Sequence, residues 1–204
     1  MENTLENLKE KASYAVGISI AQNLLEQDLA ALDVQKFSEG VRTVFEGNKF
    51  LLTQEEMQSS IQQFLDGQRQ KVHEQNKLDG EVFLAENKKR SDIKTTASGL
   101  QYEIMKQGDG TCPGPQETVS VHYHGTLIDG TVFDSSVQRG TPASFGVHQV
   151  IPGWTEALQL MSVGAKYKLY IPQELAYGAN PHPGGPIKPY SALIFEVELM
   201  NIEK

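Results

Sequence analysis

Every proline of this chain lies in its second half. The nine prolines run from Pro113 to Pro189, and residues 1 to 97 contain none. Proline lacks a backbone N–H and its ring clashes with the preceding helical turn. A long proline-free stretch therefore leaves room for uninterrupted helices. A stretch that holds all the prolines and most of the glycines must be cut into short elements joined by turns. The 204 residues divide into two regions with different rules of construction, and the change falls near Gly99.

The first region reads as helical. Ala12, Ala15, Val16 and Ser19 share one face at helical spacing, and Ile20, Asn23 and Leu24 continue it. Val34, Phe37, Val41, Val44 and Phe45 mark a second, short helix, with Gly47 as its stop. Thr53-Gln54-Glu55-Glu56 has the form of a capping box, a Thr followed three residues later by a Glu. It opens a stretch that extends toward Lys89. Met57, Ile61, Phe64 and Leu65 give that stretch an apolar stripe, which thins beyond Asp66 to Val72 and Leu78. Gly67 and Gly80 lie inside it, each costing a helix about 1 kcal/mol against alanine. Two readings stay open here: one long exposed helix, or two helices with a break.

The second region alternates. Leu100, Tyr102 and Ile104 interleave with polar residues, as do Val119, Val121 and Tyr123 with Ser120, His122 and His124. Tyr167, Leu169 and Ile171 repeat the pattern, and so do Leu193, Phe195, Val197 and Leu199. Alternation of this kind belongs to strands with one buried face. Asp129-Gly130 between Thr126-Leu127-Ile128 and Thr131-Val132-Phe133 predicts a hairpin. One helix is predicted among the strands. Pro152 suits its first turn, Trp154, Leu158 and Met161 face one way, and Gly164 is expected to end it. An antiparallel sheet with a short helix packed on it is an α+β arrangement.

Bulk properties exclude several functions. Lys and Arg number 18 against 26 Asp and Glu, a net charge of −8 shared evenly by the two regions. A general nucleic-acid binder needs a basic surface, so none is expected. No apolar run approaches the roughly 18 residues that suggest a membrane span. Cys112 is the one cysteine, which rules out an internal disulfide and suits a reducing compartment. The start, Met1-Glu2-Asn3-Thr4-Leu5-Glu6, has no basic, apolar leader pattern. The expectation is cytoplasmic, or periplasmic or surface if the chain is a processed mature form.

Familiar catalytic signatures are missing: no nucleophile elbow, phosphate loop or zincin helix. Cys112 precedes Pro113-Gly114-Pro115 with nothing nearby to stabilise a thiolate. His122 and His124 share a strand face, but no further ligands accompany them, so no metal site is assigned. What remains is an aromatic set, Tyr123, Phe133, Phe145, Trp154, Tyr177 and Phe195, spread over different elements, with Val150, Ile151 and Ile187 near it. Composition alone reads that set as an ordinary core. Asp134 at a strand end and Tyr177-Gly178 in a loop rich in Gly and Pro point instead to a site.

Five runs in order carry a resemblance. Val121-His122-Tyr123-His124-Gly125, Gly130-Thr131-Val132-Phe133-Asp134-Ser135-Ser136, Val150-Ile151-Pro152-Gly153-Trp154, Leu175-Ala176-Tyr177-Gly178 and Leu193 to Leu199 resemble successive blocks of the FKBP-type peptidyl-prolyl cis-trans isomerases. The match covers about residues 98 to 202 and is closest to the two-domain bacterial members of the macrophage infectivity potentiator (Mip) and FklB types. The resemblance implies a curved antiparallel sheet wrapped around the short helix, preceded by an all-α dimerisation domain and a long connecting helix. The implied boundaries are 1–52 for the dimerisation helices, 53–97 for the connecting helix and linker, and 98–204 for the isomerase domain.

Carried over position by position, the resemblance implies Asp134, Tyr177 and Trp154 as catalytic residues. Trp154 would floor the pocket, Tyr123, Phe133, Phe145 and Phe195 would wall it, and Val150 and Ile151 would edge it. The Ile151 N–H and the Tyr177 hydroxyl would hold the substrate. Asp134 would sit at the rim with Tyr123 and Arg139, and His182 and Ile187 would belong to a flap. This sequence departs from the pattern at Ala143, where many eukaryotic members carry Phe, at Lys188, and in a longer Gly184-Gly185-Pro186 stretch. The implied activity is X–Pro rotation without cofactor, metal or covalent intermediate, on peptides and unfolded proteins, in a homodimer inhibited by tacrolimus or rapamycin. The alternative is a dimeric chaperone that holds unfolded chains with catalysis secondary.

Overall fold

The structure, a computed structural model, describes residues 5–27 and 29–203. They fall into two compact units, residues 1–71 and 72–204, with the division inside one helix. Their helices and strands follow in the order α1 (Leu8–Glu26), α2 (Val34–Phe45), α3 (Gln54–Asn87), β1 (Lys94–Thr95), β2 (Gln101–Lys106), β3 (Thr118–Leu127) and β4 (Val132–Ser135). Then come α4 (Ser136–Arg139), β5 (Ala143–Gly146), α5 (Pro152–Leu160), β6 (Lys166–Ile171) and β7 (Leu193–Glu203).

In the first unit local signals set the helix ends. Asn7 and Glu10 form a capping box at α1 that the sequence reading did not pick out. Asp33 caps α2, and Gly47, with φ of 67°, closes it as Asn48 donates back to the Thr43 carbonyl at 3.0 Å. Thr53 and Glu56 cap α3 reciprocally, at 2.8 and 3.2 Å. The helix then runs unbroken for 34 residues, which settles the two readings in favour of one helix. No residue of α1 or α2 is buried. Phe45 and Leu51 are each 87% exposed, and the α1 face of Ala15, Val16, Ile20 and Leu24 lines an open apolar depression.

The second unit is built on one antiparallel sheet in the order β1-β2-β6-β7-β3-β4, with β5 also paired to β3. β3 is the hub. β7 runs along its full length, while its other edge takes β5 at Thr118–Val121 and β4 at His124–Thr126. Alternation decides the faces, as predicted: Val119, Val121, Tyr123, Phe195, Val197, Leu199, Leu169 and Ile171 point inward to Trp154, Ala157, Leu158 and Met161. The opposite face carries charge, and Lys166 and Lys168 both reach Glu196, at 2.9 and 3.6 Å. Part of that face is covered instead. The C-terminal end of α3 lies over β2 and β6, with Phe83 against Tyr170 (6.1 Å), a buried Asn87 Nδ2 to Gln101 Oε1 bond of 2.9 Å, and Gln101 Nε2 on the Leu84 carbonyl. This explains why Gln101 and Tyr170 are buried although they break the alternation.

One predicted boundary is corrected. α5 ends at Leu160, not at Gly164. Met161 is extended and fully buried, and the chain peels away because Val163 and Gly164 donate to the carbonyls of Thr111 and Leu199. Gly164, with φ of 87°, serves the turn into β6.

Leu169 and Glu196 test this division of the sheet's faces. Leu169→Ala is expected to lower stability of the second unit by about 2–5 kcal/mol, as buried leucines do. Glu196→Ala should change it by no more than about 1 kcal/mol, because ion pairs still reached by solvent contribute little. Urea unfolding followed by Trp154 fluorescence measures both.

Candidate active site

Five aromatic rings from five elements meet around one cavity. Tyr123 comes from β3, Phe133 from β4, Phe145 from β5, Trp154 from α5 and Phe195 from β7. Trp154 stands edge-on to three of them: Tyr123 at 5.4 Å, Phe145 at 5.8 Å and Phe195 at 5.2 Å between centroids. Phe133 meets Phe195 in the same way at 5.2 Å. Edge-to-face pairs hold rings at fixed angles and add about 0.5–1.5 kcal/mol each beyond the area they bury. The cavity they leave has a volume of about 520 Å³, within the range of small-ligand sites.

Two glycines make this packing possible. A Cβ on Gly153 would lie 2.6 Å from Ile171 Cγ2, so only glycine lets the first turn of α5 approach β6 and bring Trp154 onto the sheet. A Cβ on Gly125 would lie 2.6 Å from Phe133 and 2.8 Å from Phe195, in the space their two rings now fill. Thr155 then ties α5 to the preceding turn by donating to the Val147 carbonyl at 2.7 Å.

The rim is polar on one side. Tyr123 Oη donates to Asp134 Oδ2 at 2.5 Å, and Arg139 pairs with Asp134 Oδ1. Arg139 Nη2 also donates to Tyr123 Oη at 2.8 Å, with the guanidinium 5.6 Å from the Tyr123 ring centroid. The bracket is closed by α4, whose first residue Ser136 is fully buried and accepts the Tyr123 N–H at 2.7 Å. Burial alone would raise the Asp134 carboxyl, but hydrogen bonds from Tyr123 and Arg139 outweigh it and hold the group below the usual carboxylate range. Burial, together with the Asp134 bond, pushes the Tyr123 phenol up. Asp134 is therefore a carboxylate and Tyr123 a neutral donor at neutral pH. His122 and His124 face Ser136 and Ser135 at 3.2 and 3.0 Å. Among the described residues no cluster of three or more potential ligands could hold a metal ion.

The lining also holds unpaired donors. Tyr177, 43% exposed, lies in the loop after the 3-10 turn Gln173–Leu175, and its hydroxyl bonds to no described residue. Burial of the phenol, with the Asp134 charge adding to it, raises its ionisation point, so the hydroxyl remains a donor. The Ile151 carbonyl accepts from Trp154 and Thr155 at the start of α5, while no described acceptor takes the Ile151 N–H. Val150, Ile151, His182 and Ile187 complete the lining that the sequence singled out. Arg139 stands apart from the lining and acts on Asp134 and Tyr123. Ala143 packs against the core and not on the cavity. Gln149 also lines the cavity and was missed, its only signal being adjacency to Val150; Gly185 and Pro186, which the sequence placed in the longer flap stretch without a role, line it too.

The Asp134 bracket should register in acid. A carboxyl held below its unfolded value stabilises the fold fully above about pH 4, the range of an unperturbed Asp. That contribution is lost as pH falls through the lowered native value. The stability gap between the natural chain and Asp134→Asn, read as urea midpoints, should therefore be wider at pH 7 than at pH 3. An equal gap at both would remove the electrostatic role from the bracket.

The family described as FKBP-type peptidyl-prolyl cis-trans isomerase matches residues 110–200, and the domain amino-terminal to it matches residues 9–104. The FKBP-type 22 kDa peptidyl-prolyl cis-trans isomerase of Escherichia coli (strain K12) is 42% identical over 202 residues, covering 98% of both chains. The outer membrane protein MIP of Legionella longbeachae is 41% identical over 96% of this chain and 86% of its own. The crystal structure of FkpA from Escherichia coli superposes with a TM-score of 0.78 at 36% identity, covering 98% of this chain and 99% of that one.

Proposed function

The chain belongs to the FKBP-type peptidyl-prolyl cis-trans isomerase family, and on that premise we propose that it catalyses X–Pro rotation in the Trp154 cavity without a covalent intermediate. The observation that carries this reading is an apolar aromatic chamber lined by Ile151 and Tyr177, whose N–H and hydroxyl are among its unpaired donors, with Trp154 Nε1 also unpaired at the floor. Rotation about an amide must break resonance, at a barrier of about 18–20 kcal/mol. The twisted amide has a less polarised carbonyl than the planar one. A chamber walled by Tyr123, Phe133, Phe145 and Phe195 disfavours the dipolar ground state relative to the twisted one. The proline ring sits on Trp154, and the two donors fix the flanking carbonyls, which limits the motions left to the one that matters. Asp134, kept charged and paired by Arg139 and Tyr123, holds the Tyr123 ring in place at the rim. None of these steps requires a nucleophile, a metal or a cofactor.

The test is isomerisation of a short prolyl peptide with and without tacrolimus or rapamycin. We expect saturable inhibition with a change in Trp154 fluorescence. Tyr177→Phe should slow catalysis by about 2- to 12-fold, the range set by one neutral hydrogen bond. Drug that binds without inhibiting would place catalysis elsewhere.

A homodimer accompanies this reading, supported by the first unit. Helices α1 and α2 bury no residue within one chain, yet carry Val16, Ile20, Val41, Val44 and Phe45. Apolar surface of this extent is expected to be covered by another chain. A dimer presents two pockets to one unfolded protein and raises the effective concentration of each. That gives the chaperone action a physical basis beside catalysis. A fragment of residues 72–204 should sediment as a monomer, keep its activity on short peptides, and lose much of its ability to speed refolding of a proline-limited protein. Dimerisation of that fragment would overturn the assignment.

A further inference from the structure

The loop between β6 and β7, residues 172–192, carries a large share of the cavity wall: Tyr177, His182, Gly185, Pro186 and Ile187. Its feet are fixed, since Ile171 and Leu193 are register partners in the sheet. Between them all but one of its backbone bonds are local turns. The one that closes the loop on itself is Tyr190 N–H to the Gly178 carbonyl, at 2.8 Å. Tyr190 is also the one non-glycine among the described residues with positive φ, 62°. A tyrosine holds that conformation only where its surroundings impose it.

What surrounds it is α3. The His73 ring packs on the Tyr190 ring at 5.4 Å, and Asn76 Nδ2 donates to the Pro189 carbonyl at 3.0 Å. One turn further on, Gly80 faces Ala192, where an added Cβ would come within 3.1 Å of the Ala192 Cβ. Glycine weakens a helix interior, yet at this crossing it permits the close approach. The end of α3 is anchored to the sheet by Asn87 on Gln101 and by Arg90 on Tyr170 and Glu103, at 2.9, 3.0 and 2.9 Å. The helix is therefore a fixed rail along the back of the loop whose front lines the cavity.

We propose that α3, through His73, Asn76 and Gly80, is a positioning element for substrate binding: it holds Tyr190 and Pro189, and through them sets Tyr177, Pro186 and Ile187 against the cavity. The proposal rests on the Trp154 cavity being the isomerase site. It gives the second half of α3 a role in the pocket beyond connecting two domains. None of the three residues lines the cavity, and most of the loop residues they hold offer binding contacts, so their effect is expected first on affinity.

The experiment uses the full chain with three variants. Asn76→Ala removes the bond to Pro189. Tyr190→Gly keeps the positive-φ turn but deletes the ring that His73 holds. Gly80→Ala adds one methyl at the crossing. Each should raise KM for a prolyl peptide by about 3- to 10-fold with kcat within about twofold, the pattern of lost binding. Hydrogen exchange of the amides between Gly178 and Ser191 should quicken while the rest of the sheet is unchanged. Leu78→Ala, on an exposed part of the same helix, should leave both readouts alone. The decisive variant is Tyr190→Gly, because a residue that merely fills a turn would be relieved by glycine and KM would stay put. Unchanged KM in Tyr190→Gly and Asn76→Ala, or a raised KM without faster loop exchange, overturns the proposal. If Tyr177→Phe still slows catalysis in that case, the cavity assignment stands alone; if tacrolimus leaves isomerisation untouched, it is the cavity assignment that has failed.

Discussion

The contact on which this site depends is the one between Gly153 and Ile171. The absence of a side chain at Gly153 lets α5 approach β6 closely enough for Trp154 to stand on the concave face of the sheet. Once the indole is there, Tyr123, Phe145 and Phe195 meet it edge-on, and Phe133 meets Phe195 in turn. The cavity is what remains when large rigid rings from five elements cannot fill the space between a twisted sheet and one short helix. Its apolar character and its shape thus have one origin.

The polar groups follow a second logic. Asp134, Tyr123 and Arg139 neutralise one another at the rim, so a partly buried carboxylate is kept charged at neutral pH without an uncompensated cost. The Ile151 N–H and the Tyr177 hydroxyl, by contrast, meet no described partner.

The loop that closes the cavity is held by local turns and by one bond across it, Tyr190 N–H to the Gly178 carbonyl. Tyr190 in a left-handed conformation is evidence that something outside the loop imposes it, and α3 is the element in contact. The length of α3 then has a use at both of its ends, since its first turns belong to the unit whose apolar faces are uncovered within one chain.

Much of this is legible in the amino-acid sequence. The proline boundary, the alternation of β3, β6 and β7, the Thr53 capping box and the Asp129-Gly130 hairpin are local signals, and local signals survive reading in one dimension. The FKBP resemblance added the roster of cavity residues, which composition would have assigned to an ordinary core. What the sequence did not contain is distance. Gly164 looked like a helix stop, yet α5 ends earlier because backbone groups of Thr111 and Leu199 compete for the chain. Gly80 looked like a flaw in a helix until Ala192 was found against it. Gln101 and Tyr170 look misplaced on an outer face until α3 covers them. Periodicity tells which side of an element is apolar, because that depends on near neighbours in the chain. Which residue stands opposite, and how close it comes, depends on partners more than a hundred positions away, and that only the folded chain decides.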